Sequence, residues 1–232
     1  MIEDPPKLVI RQNFPRPSAA QVKAFRGLST GFVCDAMDGV GGMDTAIGPV
    51  GGGGRLPAHA VGVALVADNG PNEILATMGA MHILQPGDIV VAAMRGGQNC
   101  AAAGDIFMGM LRNKGAAGFV TDGPMRDYDA IVAVGLPAWC NGLNPNSPYA
   151  NGPGRVGFGA VVGGQTVNSG DIIVADINGV VVVPHARIDA VIAQIAHIQQ
   201  IEDALEAKVK AGYAEMPKIA EMLADGTAVM VD

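Results

Sequence analysis

Residues 61–93 read VGVALVADNGPNEILATMGAMHILQPGDIVVAA. Val61–Ala67 is a continuous apolar run, valine-rich and of strand length. Asn72–Leu84 carries a helical pattern, and Pro86-Gly87 stops it. Ile89–Ala93 is a second apolar run of strand length. Strand, helix and strand in immediate succession make a β-α-β unit, and such units build a largely parallel sheet. Uninterrupted apolar strands agree with that, because a parallel sheet is covered on both faces.

The alternation continues towards the C-terminus. Ala101–Lys114 reads as a helix, Ala117–Thr121 as a strand, Asp127–Val134 as a short helix or turn and Pro137–Cys140 as a short strand. Asn141–Arg155 is a long loop broken by Pro145, Pro148 and Pro153. A loop of that length in a compact domain is functional or packs on a neighbour. Val156–Val162, Gln165–Val167, Asp171–Ala175 and Gly179–Val183 then form a β-rich stretch, with hairpin turns at Gly163-Gly164 and Asn178-Gly179. Ala186–Ala211 places Ile188, Val191, Ile192, Ile195, Ile198 and Ile201 three and four apart, the apolar face of one long helix. Pro217 starts a further short helix through Leu223.

On the N-terminal side, residues 1–17 read as an arm broken by Pro5, Pro6, Pro15 and Pro17. Ser18 caps a helix ending near Gly27, and Ser29 or Thr30 caps a second ending at Gly39. Gly41–Arg55 is glycine-rich, but no Lys follows Gly51–Gly54, so a phosphate-binding loop is not expected. The fold expected is one α/β domain over residues 1–232, with a β-rich second layer, an N-terminal arm (1–17) and a C-terminal extension (213–232).

Composition narrows the function. The 232 residues are 49% hydrophobic, 16% charged and 4% aromatic, with a formal net charge of −7. No Lys/Arg cluster and few stacking aromatics argue against nucleic-acid binding. So few charges predict that much of the surface is covered in an oligomer. Cys34, Cys100 and Cys140 are odd in number and widely spaced, as in free thiols of a reducing cytoplasm. No basic-plus-apolar leader and no membrane-length apolar run are seen, so a cytoplasmic protein without a membrane partner is expected.

Two segments carry candidate chemistry. Gly118–Ala130 reads GFVTDGPMRDYDA: a strand, a turn, then Arg126 and Asp127 side by side. Ligands of open α/β sheets collect outside the carboxyl ends of strands. There an Arg fork suits a carboxylate and an Asp suits a divalent cation. Arg95–Phe107 reads RGGQNCAAAGDIF, placing Gly104-Asp105 within or near the first turns of a helix. Helix N-termini bind anions through free N–H groups. Other chemistries lack candidates. His59, His82, His185 and His197 show no metal-ligand spacing, Gly-x-Ser-x-Gly is absent, and no Lys stands in an apolar strand.

Five motifs in this order resemble the RraA-like family, which includes metal-dependent 4-hydroxy-4-methyl-2-oxoglutarate and 4-carboxy-4-hydroxy-2-oxoadipate aldolases. They are Pro86-Gly87-Asp88-Ile89-Val90-Val91, Ala101-Ala102-Ala103-Gly104-Asp105, Gly118-Phe119-Val120-Thr121-Asp122-Gly123, Met125-Arg126-Asp127, and Asp176-Ile177-Asn178-Gly179-Val180-Val181-Val182-Val183-Pro184. The resemblance covers roughly Ser29 to Glu206. It implies a layered α/β/β swivelling-type domain whose long C-terminal helix forms an interface in a homotrimer or hexamer. It implies Mg²⁺ or Mn²⁺ bound by Asp127, with Asp105 and a neighbouring subunit's counterpart of Glu202 reaching the metal through waters. It implies that Arg126 holds the pyruvate part of a small 2-oxo acid, assisted by Gly104, Asp105 and the N–H groups of Ile106 and Phe107. The implied activity is C–C lysis through a pyruvate enolate: aldol cleavage, oxaloacetate decarboxylation, or both. The alternative is a non-catalytic regulator of an RNA-degrading nuclease, as some members are. The chain departs from the aldolases at Asn72, Glu73, Ile74 and Met78, where they often carry Gly-Asp-Asn and then a His.

Overall fold

A computed structural model describes residues 5–232. In chain order the strands are β1 (Leu8–Ile10), β2 (Gly48–Pro49), β3 (Ala60–Asp68), β4 (Asp88–Ala93), β5 (Gly118–Thr121), β6 (Ala138–Cys140), β7 (Gly154–Val156), β8 (Gly159–Val162), β9 (Gln165–Asn168), β10 (Ile172–Asp176) and β11 (Gly179–Val183). The helices are α1 (Ala19–Ala24), α2 (Thr30–Asp35), α3 (Leu75–Ile83), α4 (Asp105–Asn113), α5 (Tyr128–Val134), α6 (Ile188–Lys210) and α7 (Pro217–Asp225). The chain divides into two compact units, one ending at Ile195 and the other Ala196–Asp232.

The centre of the first unit is the parallel set β3-β4-β5-β6, with Leu65 opposite Val90 and Val90 opposite Phe119. The period-two alternation of a strand sends neighbouring side chains to opposite faces, and here both faces are buried. Leu65, Val90 and Phe119 join Met108, Leu111 and Ile131 from α4 and α5 in one core. Ala64, Val66, Val91 and Val120 join Trp139, Val162, Val167 and Ile173 in the other. Each large side chain so buried stabilises the fold by about 1.5–3 kcal/mol. The first half of β3 also pairs antiparallel with β10, its last two residues pair with β7, and β8-β9 form a separate hairpin.

Most elements fall where the sequence placed them, and the differences have local causes. Ser18 caps α1 in a capping box with Gln21, and Ser29 caps α2 through the N–H of Phe32. The N-terminal arm is in part sheet: β1 pairs parallel with β7, and Arg16 makes a two-pronged ion pair with buried Asp88 at 2.6 and 3.0 Å. Residues 1–4 of that arm lie outside the described residues. The run Val156–Val162 is two strands in two sheets. They part at Gly157, whose φ is +81° and where a Cβ would strike the Arg11 carbonyl oxygen. The expected second β layer is likewise divided, since β10-β11 join the main sheet and only β8-β9 stand apart.

Helix α4 begins at Asp105 rather than Ala101. Ala101 and Ala102 donate their N–H groups to the Asn146 and Pro124 carbonyls instead, so tertiary bonds override alanine's helical preference. On α6 the apolar face is buried at Ile188, Val191 and Ile195, whereas Ile201 is exposed. Among the described residues no helix is long and apolar enough to cross a membrane.

Candidate functional site

The site grows from the carboxyl ends of β4 and β5. Asp122, just past β5, accepts the N–H groups of Met94 and Gly96 at 2.6 and 3.1 Å, tying the two strand ends together. The two following loops then run against each other. Ala102 N–H donates to the Pro124 carbonyl at 2.7 Å, and Arg126 N–H to the Ala103 carbonyl at 3.1 Å. This pairing brings Gly104-Asp105 beside Arg126-Asp127, although about twenty residues separate them in sequence.

The contact requires glycine at 104. A Cβ there would stand 2.4 Å from Asp127 Oδ2. Asp127 holds φ 63°, ψ 44°, a left-handed conformation that Asp tolerates better than most residues. Arg126 donates from Nε to Asp127 Oδ2 at 3.2 Å and from Nη1 to Ser147 Oγ at 2.8 Å. Both side chains of this Arg-Asp pair are partly exposed, so its own stability contribution is small, about 1 kcal/mol or less. Behind it, Gly104 gives α4 no side-chain cap, leaving first-turn N–H groups for a ligand. Gly104, Asp105, Ile106, Phe107, Arg126 and Asp127 all line one cavity of about 260 Å³.

The donor set suits a hard divalent cation. Asp127 and Asp105 offer carboxylate oxygens in one cavity, and Gly104 leaves the space that the Asp127 carboxylate fills. Among the described residues no three His, Cys, Asp or Glu side chains cluster as a metal-holding group. Two carboxylates leave most of the coordination to water and substrate, as Mg²⁺ commonly accepts. Glu202 belongs to the other unit, on α6, and is exposed.

Two features of the site were not legible in the sequence. The first is Ser147, which lies in the flagged Asn141–Arg155 loop but is not distinguished there from its neighbours. The second is the clamp that holds this loop. Glu73 is buried just before α3, and its carboxylate accepts four backbone N–H groups, those of Ile74, Leu75, Asn151 and Gly152, each at 2.8 Å. Burial pushes its carboxyl up, but the four donors outweigh that and hold it below the usual glutamate range. The loop is fastened again where Asn144 and Asn146 donate side-chain N–H groups to the Gln98 and Asn99 carbonyls.

Asp68, Arg95 and Asp122, also at this sheet edge, are occupied. A larger cleft of about 540 Å³ is lined by Asp68, Arg95 and Asp122. There Arg95 makes a two-pronged pair with Asp68 at 2.9 Å, while Asp122 holds the two backbone N–H groups described above. The buried thiol of Cys140 is pushed up to about 11, which leaves it protonated and unreactive at neutral pH. None of the four histidines lines the Arg126 cavity.

Asp105, Arg126 and Asp127 thus gather where the parallel strands of an α/β protein end, beside the N-terminus of α4. The chain belongs to the RraA-like family, whose model, described as Aldolase/RraA, matches residues 30–182. A protein of Halalkalibacterium halodurans carrying the provisional name 4-hydroxy-4-methyl-2-oxoglutarate aldolase is 33% identical over 187 residues, covering 80% of this chain and 86% of that one. Among solved structures, Streptomyces coelicolor RraAS2 superimposes with a TM-score of 0.72 at 24% identity, over 84% of this chain and 99% of the other. It is described as an unusual member of the RNase ES inhibitor RraA family. An uncharacterized Pseudomonas syringae protein gives the same TM-score and identity, over 87% and 97%. These two likenesses establish the fold.

Proposed function

We propose that the chain is a divalent-metal-dependent lyase that cleaves a C–C bond of a small 2-oxo acid through a pyruvate enolate. One observation carries the proposal: Arg126, Asp127, Asp105 and the α4 N-terminus line a single cavity. In this reading the Arg126 guanidinium and the N–H groups of Ile106 and Phe107 grip the substrate carboxylate. Asp127 and Asp105 would hold Mg²⁺ or Mn²⁺, which would supply Lewis acidity to the 2-oxo acid. The C3–C4 bond breaks, its electron pair passes to C3, and the C4 hydroxyl proton leaves to a water held by Asp105. Arg126 stabilises the negative charge that develops, and protonation at C3 gives pyruvate. Decarboxylation of oxaloacetate passes through the same enolate. Glu202 would act from a neighbouring copy, in a homotrimer or hexamer.

The test is pyruvate release from oxaloacetate with Mg²⁺, with Mn²⁺ and with chelator. Metal-dependent release that Arg126→Ala lowers by about a hundredfold or more is the expected result, the range seen when one charge-stabilising donor is removed. No release with any metal would overturn the reading and favour the nuclease regulator.

A further inference from the structure

Arg126 has three guanidinium nitrogens to place, and how they are held sets what it can grip. Its Nε donates to Asp127 Oδ2 at 3.2 Å and its Nη1 to Ser147 Oγ at 2.8 Å. The two holds differ in kind. Asp127 is a carboxylate, and in the lyase reading it also takes the cation, which competes with Arg126 for the same group. Ser147 offers a neutral oxygen. It can orient the guanidinium without neutralising its charge, so Arg126 keeps its attraction for a substrate carboxylate.

Such a hold needs a fixed base. Ser147 is exposed, but the backbone on both sides of it is tied down. Before it, the Asn146 carbonyl accepts the Ala101 N–H at 3.0 Å, and the Asn146 side chain donates to the Asn99 carbonyl. After it, Pro148 biases Ser147 towards extended backbone. Tyr149 then accepts the Ile74 N–H at 2.9 Å and donates its own N–H to the Asn72 carbonyl at 2.8 Å. The same loop is tied to the neighbour of Arg126, since Met125 N–H donates to the Gly142 carbonyl at 3.0 Å and Asn144 N–H to the Met125 carbonyl at 2.9 Å. Ser147 and Arg126 are therefore carried on segments that hold each other in register.

We infer that Ser147 is a positioning residue for the reaction, whose hydroxyl aims the Arg126 guanidinium at the substrate carboxylate. This rests on the lyase reading above and deepens it. A long, flexible arginine held at one nitrogen samples more rotamers than one held at two. Small misplacements of a group that binds the reacting part of a substrate cost about a hundredfold in rate.

The test measures kcat/KM for pyruvate release from oxaloacetate and from 4-hydroxy-4-methyl-2-oxoglutarate. Ser147→Ala and Ser147→Val are expected to lose about tenfold or more, while Ser147→Thr, which has valine's shape but keeps the hydroxyl, retains most of the wild-type value. In an Arg126→Ala background, Ser147→Ala should cost about twofold or less, because a residue that acts through Arg126 has nothing left to aim. Mn²⁺ affinity, read in a titration without substrate, should be the same in Ser147→Ala as in wild type. A fall in that affinity as large as the kinetic loss would route the effect through Asp127 and overturn the inference. Wild-type kcat/KM in Ser147→Ala, a Ser147→Thr variant as impaired as Ser147→Val, or an undiminished loss in the Arg126→Ala background overturns it too, and leaves the lyase reading standing. No pyruvate from either substrate with the wild-type chain and any metal overturns both.

Discussion

Replacing Glu73 by Gln removes one charge and changes one oxygen to an NH₂ group. The carboxylate now satisfies four N–H donors at 2.8 Å. Gln keeps one acceptor oxygen for one pair and turns a donor towards the other, so two bonds are lost. Hydrogen bonds to a charged group contribute about 1.5–3 kcal/mol each, which gives a gross loss of about 3–6 kcal/mol. Water entering at the slightly open edge recovers part of that, and we expect a net loss of about 3 kcal/mol. With a urea slope of about 2 kcal/mol per M, the midpoint should fall by about 1.5 M. Trp139, the single tryptophan, is buried in the same unit, so its fluorescence reports the transition. The pH dependence follows from sign. A carboxyl depressed in the folded state gives stability that is fully present above its unfolded value and is lost as pH falls through its folded value. The gap between wild type and Glu73→Gln should therefore be constant from neutral pH down to about 5 and shrink below about 4. A loss under about 1 kcal/mol at pH 7, or a gap that does not shrink in acid, refutes the clamp.

Four further outcomes are expected. Gly104→Ala should leave the fold intact, since φ is −130° there, but weaken Mn²⁺ binding by about tenfold or more by displacing the Asp127 carboxylate; unchanged Mn²⁺ affinity in a titration would sink the metal assignment. Asp127→Gly should abolish metal-dependent turnover while leaving the melting temperature unchanged or higher, because glycine relieves the left-handed φ. Asp88→Asn strands Arg16 beside a nearly inaccessible site and should cost about 3–5 kcal/mol in chemical denaturation; a cost below about 1 kcal/mol would show the pair to be incidental. At pH 8, iodoacetamide should modify the half-buried Cys34 before Cys140, whose buried thiol is pushed up to about 11; peptide mass mapping that finds Cys140 labelled first would contradict this.

The parallel core was legible because its strands are buried on both faces and each but the last is followed by a helix and a breaker. That Gly104 and Asp105 meet Arg126 and Asp127 was legible for the same reason, since loops after adjacent parallel strands must meet at one edge. What escaped notice depends on where distant chain segments run. The end of the Val156 strand at Gly157 follows from the approach of the Arg11 carbonyl, and the late start of α4 follows from bonds to Asn146 and Pro124. Glu73 could be noticed only as a departure from the aldolase pattern. Its clamp on Asn151 and Gly152 spans more than seventy residues and leaves no local signature.

Asp127 shows how the chemistry is written into the backbone. An Asp at the start of a helix usually adopts extended backbone and uses its carboxylate to cap the N–H groups of the first turn. Asp127 does neither: it precedes α5 with a left-handed φ and makes no cap hydrogen bond. The left-handed conformation costs about 1 kcal/mol and the missing cap about as much again, so local stability argues for Gly or for a relaxed Asp. Both are forgone, and the carboxylate turns back over Gly104 into the cavity with Arg126 and Asp105. That strain and that forgone bond support the metal-holding role proposed for Asp127. Gly104 is the complement of that strain, since a Cβ there would stand 2.4 Å from Asp127 Oδ2 and displace the carboxylate from this position. The two residues therefore form a single device and should fail together when either is changed.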